Sequence, residues 1–187
     1  VYRTGRGETT VLTRFSRFLE RITSARRLAA LLLVLPALPL WIMPATGPGQ
    51  VEFLDLRLSY SPEEVHRLLE SLGAEGRTAY ARMALTSDLI FPLLYSLALS
   101  MGLTLLCGSL LPGESRLQHL RLLPLAALLA DVAENLAIVG LIYSFPQLPV
   151  TLVGWASTFT GLKWASVVLN LGLLLALAGI RLARHRA

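Results

Sequence analysis

Four stretches of the chain are almost wholly apolar over a length that suits a bilayer crossing: residues 28–45, 86–111, 122–144 and 152–180. A helix needs about 20 such residues to cross a hydrocarbon core roughly 30 Å thick. In lipid only helices and closed barrels satisfy their own backbone hydrogen bonds, and these runs are too long and too continuously apolar for barrel strands. The expected fold is all-α. It is a polytopic membrane protein: a four-transmembrane-helix bundle with an amphipathic N-terminal helix and a folded extracytoplasmic segment. Residues 1–27 form the cytoplasmic basic helix. Residues 28–187 form the bundle, which includes the extracytoplasmic segment 46–83.

The pattern between the spans predicts further elements. Residues 9–24, TTVLTRFSRFLERITS, place Val11, Phe15, Phe18 and Ile22 on one helical face and Arg14, Arg17 and Arg21 on another. Such a helix lies among lipid headgroups or anchors the topology. The first span carries Pro36 and Pro39, and TGPGQ ends it. The basic stretch ahead of it is long for a cleaved leader. Residues 51–60 alternate, with Leu54, Leu56, Leu58 and Tyr60 on one side, and predict an extended segment with one apolar face. SPEE then supplies an N-cap, a proline at the first helical position and a capping box for a helix that stops at Gly73. A second helix starts near Glu75 and runs directly into the second span. This outer segment is expected to lie as a lid on the bundle or at the outer interface.

Charge changes the picture by setting orientation. The net charge of +5 comes from 16 Arg and a single Lys, a balance that by itself would suit nucleic acid. The placement argues otherwise, because 12 of the arginines flank one end of the spans. Arg57, Arg67, Arg77 and Arg82 lie at the other end, diluted by six acidic residues. The positive-inside bias then puts both termini in the cytoplasm. Arg in place of Lys and abundant Leu and Ala point to a GC-rich bacterial genome, and so to a bacterial cytoplasmic (inner) membrane. Cys107 stands alone and His66, His119 and His185 are scattered, so neither a disulfide nor a metal site is expected. No phosphate-binding glycine loop or nucleophile triad is visible, and no cofactor is called for.

The candidate chemistry sits inside the spans. The second span holds Asp88, Pro92, Ser96, Ser100, Thr104 and Gly108 at steps of four, a stripe that suits close helix packing. In ADVAENLAIVG, residues 130–140 of the third span, Asp131, Glu134 and Asn135 share a face. Asp131 is ten residues from Arg121, about 15 Å along the axis. A carboxylate that deep costs on the order of 3 kcal/mol, so it faces the bundle interior or a wet cavity. The fourth span holds Lys163, with Thr160 and Asn170 on the same face. The expected cluster is Asp88, Tyr95, Asp131, Glu134, Asn135, Lys163 and Asn170, with Lys163 facing Glu134. Three carboxyls face one ammonium. A ligand, a water-filled cavity or a bound proton must supply the balance.

YSPEEVHRLLESLGAEGRTAY, DLIFPLLY, LPLAALLADVAEN and LKW together resemble a group of uncharacterised bacterial four-span integral membrane proteins. The resemblance covers roughly residues 51–170. It implies the four-span architecture and points to Asp88, Pro92, Tyr95, Asp131, Glu134, Asn135 and Lys163, but it implies no activity.

Three functions fit these residues, besides a purely structural ion-pair lock. The leading one is non-catalytic binding of a lipid-like or small amphipathic ligand, or of a membrane partner subunit, through the cluster. The second is an enzyme acting on a lipid or isoprenoid, with Glu134 or Asp131 as acid or base and Lys163 stabilising negative charge. The third is proton-linked transport, which with so few spans requires an oligomer. Membrane lipid is the expected surrounding partner, and no catalytic residue is assigned.

Overall fold

The computed structural model describes residues 11–37, 53–113 and 115–186. Every regular element among them is helical. α1 spans Val11–Ile22, α2 Ala25–Val34, α3 Pro62–Ser71, α4 Gly73–Leu85, α5 Ser87–Leu110, α6 Pro124–Ser144 and α7 Val150–Arg186. Short 3-10 turns cover Leu54–Leu56 and Arg116–Leu122. Three helical stretches are long and apolar enough to cross a membrane: Gly73–Leu110, Arg116–Ser144 and Val150–Arg186. The chain therefore has the helices of a multi-pass membrane protein. The expected first span, 28–45, is described only as far as residue 37. Its remainder, with Pro39 and TGPGQ, lies outside the described residues.

The helix boundaries follow local chemistry. Ser61 accepts from the Glu64 amide while the Glu64 carboxylate takes the Ser61 amide at 2.7 Å, so the capping box is formed and Pro62 opens α3. Gly73 adopts φ +62, a left-handed conformation that only glycine takes without strain, and turns the chain from α3 into α4. The second span is not one straight rod. Thr86 has φ −123 and ψ −84, and its hydroxyl donates to the Arg82 carbonyl, so α4 and α5 meet at a break. Pro124 opens α6 at a position where its missing N–H is not needed.

Two sequence expectations change. Residues 53–60 are not an extended strand with one apolar face. Leu54 and Tyr60 are buried, but Leu56 and Leu58 are 51% and 73% exposed. The reason is the 3-10 turn at Leu54–Leu56, which breaks the two-residue alternation. In α1, the helix is rotated from its predicted apolar face. Leu19 and Ser16 are buried, Phe15 and Ile22 are half-buried, and Phe18 is exposed. Arg14, Arg17 and Arg21 point outward as expected.

The largest helix interface is α6 against α7. Ala127 and Ala156 are fully buried and Ala137 nearly so, and small side chains of this kind let helices approach closely. At one end of the bundle Phe53, Leu54, Tyr60, Val65 and Leu69 join Ile138, Leu141 and Val153 in one core. Further along, Leu103 and Cys107 pack against Leu177. Segment 53–72 is thus a folded cover over one end of α6 and α7.

Candidate functional site

α6 carries the polar face that the sequence singles out. Asp131, Glu134 and Asn135 are all buried, Glu134 completely. Facing them on α7, Lys163 is 6% exposed and Thr160 fully buried. Lys163 Nζ lies 2.7 Å from Glu134 Oε2. The Thr160 hydroxyl is 2.6 Å from Glu134 Oε1 and 3.2 Å from the Tyr60 hydroxyl. Thr160 has one proton, which goes to the carboxylate. Tyr60 therefore donates in turn to Thr160. Both oxygens of Glu134 are engaged, one by a cation and one by a hydroxyl.

Segment 53–72 closes this half of the site. Lys163 Nζ also donates to the Asp55 carbonyl at 2.9 Å, and Trp164 Nε1 reaches the same oxygen at 3.3 Å. The Tyr60 amide donates to Ser157 Oγ at 3.1 Å. The Tyr80 hydroxyl lies 3.2 Å from the Leu54 amide, which donates to it, and 3.4 Å from the Asp55 carboxylate. Burial raises the Tyr60 phenol above its ordinary range. The nearby Glu134 and Asp55 carboxylates add to that shift.

The second half of the site is built on α5. The Tyr95 hydroxyl donates to Asp131 Oδ2 at 2.9 Å. Asn135 Nδ2 donates to Asp131 Oδ1 and to the Asp88 carbonyl, each at 3.0 Å. That carbonyl is the one whose helical donor would be the amide of residue 92. Residue 92 is proline and has none. Among the described residues the Asp88 carboxylate meets the Ser87 hydroxyl, 3.2 Å from Oδ1, whose proton is shared with the Met83 carbonyl at 3.1 Å. Asp88 Oδ2 and Ser96 Oγ are buried with no hydrogen-bond partner among the described residues.

Six of the seven sequence-selected residues therefore come together: Asp88, Tyr95, Asp131, Asn135, Glu134 and Lys163. Asn170 is buried, but its amide bonds within its own helix, to the Ser166 carbonyl at 2.7 Å, and does not join them. The stripe on α5 faces inward at Pro92, Ser96, Ser100 and Thr104, but not at Gly108. Sequence reasoning missed Asp55, Tyr60 and Trp164. The one available signal was Thr160 one turn before Lys163, a hydroxyl placed to share the same carboxylate. Among the described residues no group of three or more His, Cys, Asp or Glu is placed to hold a metal ion.

Comparison of the chain with models of protein families, with curated proteins and with solved structures gives no match. The site has to be read from its own geometry.

Proposed function

We propose that this chain is a four-span protein of a bacterial cytoplasmic membrane that binds a small amphipathic or lipid-like molecule without catalysis. Its termini lie in the cytoplasm and residues 46–83 lie outside, a reading that the arginine distribution supports. The ligand's polar end carries hydrogen-bond donors or a positive charge, and Asp88 and Asp131 receive it.

One observation carries this reading. Lys163 is committed to Glu134 and to the Asp55 carbonyl, so among the described residues Asp88 and Asp131 are left with neutral donors, and one Asp88 oxygen is buried without any. Ionisable groups in an apolar bundle that are not paired with one another mark ligand or ion sites by default. The Lys163–Glu134–Thr160 half is the lock that holds the cover in place. Among the described residues no set of metal ligands accompanies the acids.

The test is native mass spectrometry of the protein released from gentle detergent, with Asp88→Asn and Asp131→Asn beside the wild type. A stoichiometric non-protein mass that the Asn variants lose supports the assignment. A stoichiometric protein partner lost in the same way moves the role to a membrane subunit. Wild-type protein that emerges empty and monomeric removes the proposal. Orientation is checked separately with Glu70→Cys and Arg186→Cys, of which only the first should label from outside intact cells.

A further inference from the structure

A second polar site lies at the other end of the spans. α1 packs against the last turns of α5 and against the Arg116–Leu122 turn. Arg121 is 6% exposed, an unusual degree of burial for a guanidinium. Its Nη1 is 2.6 Å from Glu20 Oε1, and its Nε donates to the Gln118 carbonyl at 2.7 Å. The Gln118 amide is itself fixed, since it donates to the carbonyls of Leu111, Pro112 and Cys107 at 3.2–3.4 Å. These groups line a cavity of about 340 Å³ together with Thr23, Thr104 and Gly108. Thr23 Oγ1 is buried there with no hydrogen-bond partner among the described residues. Gly108 leaves the wall open, because a Cβ at that position would meet nothing within 4 Å.

We propose that this cavity binds a phosphate group, with the Arg121 guanidinium as its fork and Thr23 as an added donor. A planar guanidinium fits phosphate oxygens bidentately. Arg121 is buried and bonded to the Gln118 carbonyl, whereas the Glu20 side chain that pairs with it is half exposed to its surroundings. Glu20 is then a stand-in that an incoming phosphate displaces. The surroundings favour an anion: Arg27 binds the Ile22 carbonyl and Arg184 reaches the Leu110 carbonyl, which brings two more guanidiniums to the ends of α1 and α5. The site lies between the last turn of one span and the first of the next. That is the level of phospholipid headgroups, and a phosphate ester of lipid and a free phosphate share the required chemistry.

The test titrates the full chain in neutral detergent with short-chain phosphatidylglycerol and, separately, with inorganic phosphate, followed by native mass spectrometry. One-to-one binding of at least one probe is expected. Saturation by the lipid alone assigns a headgroup, and equal saturation by inorganic phosphate assigns the free anion. Arg121→Gln and Gly108→Leu should each weaken binding by about tenfold or more, and Glu20→Gln should tighten it by removing the competitor. Gly108→Leu fills the cavity and keeps both charges, so it decides the matter if Arg121→Gln does not fold. Absence of one-to-one binding overturns the proposal. So does wild-type affinity in Gly108→Leu, or affinity in Glu20→Gln no tighter than in the wild type.

Discussion

Asn135 Nδ2 lies 3.0 Å from the carbonyl oxygen of Asp88, the acceptor that Pro92 leaves without its helical donor. The amide on α6 thus repairs a defect in α5. In lipid no water replaces a lost backbone bond, so a neighbouring helix must supply the donor. Asn135→Leu should cost about 1 kcal/mol, the scale of an interhelical hydrogen bond in a bilayer. In a Pro92→Ala background the residue-92 amide takes the carbonyl, and the same change should cost less. Thermal unfolding of the four proteins measures this coupling. Equal cost in both backgrounds would mean that Asn135 acts only through Asp131.

The Glu134–Lys163 pair supports a sharper cycle. Breaking a buried pair from one side leaves an uncompensated charge and costs roughly 3–5 kcal/mol. Glu134→Gln and Lys163→Met should each destabilise on that scale, and the double variant should recover much of the loss. The recovery stays incomplete, because Lys163→Met also removes a donor from the Asp55 carbonyl and loosens the cover. Unfolding of all four proteins in one detergent gives the coupling energy. Independent losses that simply add would contradict a lock.

Much of this site was legible before any coordinates. Asp131, Glu134 and Asn135 at spacings of three and four have to share a helical face, and the count from Arg121 put Asp131 deep in the third span. The excess of carboxyl over ammonium groups needed only counting. The role of Asp55 and Tyr60 was not legible. Their contacts with Thr160, Lys163 and Trp164 join residues about a hundred positions apart, and one is made by a backbone carbonyl, which no side-chain pattern announces. Alternation in residues 51–60 misled for a related reason. Burial of Leu54 and Tyr60 is set by a 3-10 turn against the α6–α7 core, not by a flat pleat. In α1 the periodicity identified the helix, but the partner surface chose Leu19 over Phe18.

Gly102 of α5 faces Leu174 of α7. A Cβ there would sit 2.9 Å from Leu174 Cδ2, the far end of a flexible side chain. Gly102→Ala should therefore be nearly neutral. The Leu174 tip gives way, and alanine's helix propensity offsets the crowding by up to about 1 kcal/mol. Gly102→Leu has no such room and should cost roughly 1–3 kcal/mol as the helices are pushed apart. Melting temperatures of the two variants distinguish crowding at a flexible tip from a rigid backbone contact. A large loss already in alanine would show that Leu174 is held in place.

Tyr60 makes the alkaline limb of stability measurable. Its folded phenol is held above the ordinary value near 10, chiefly by burial. The neutral form is thus the one the fold favours. The stabilisation is fully present below the unfolded value and is lost as pH rises through the higher folded value. In the difference spectrum between wild type and Tyr60→Phe, phenolate absorbance from Tyr60 should be missing at pH about 10, where a free tyrosine is half ionised. At neutral pH Tyr60→Phe should cost about 1 kcal/mol, because the hydroxyl bound to Thr160 is lost. As pH rises the stability curves of the two proteins should draw together, since only the wild type has a phenol to lose. A Tyr60 phenolate that appears with an ordinary midpoint while the helices stay folded would show that the cover over Glu134 admits water.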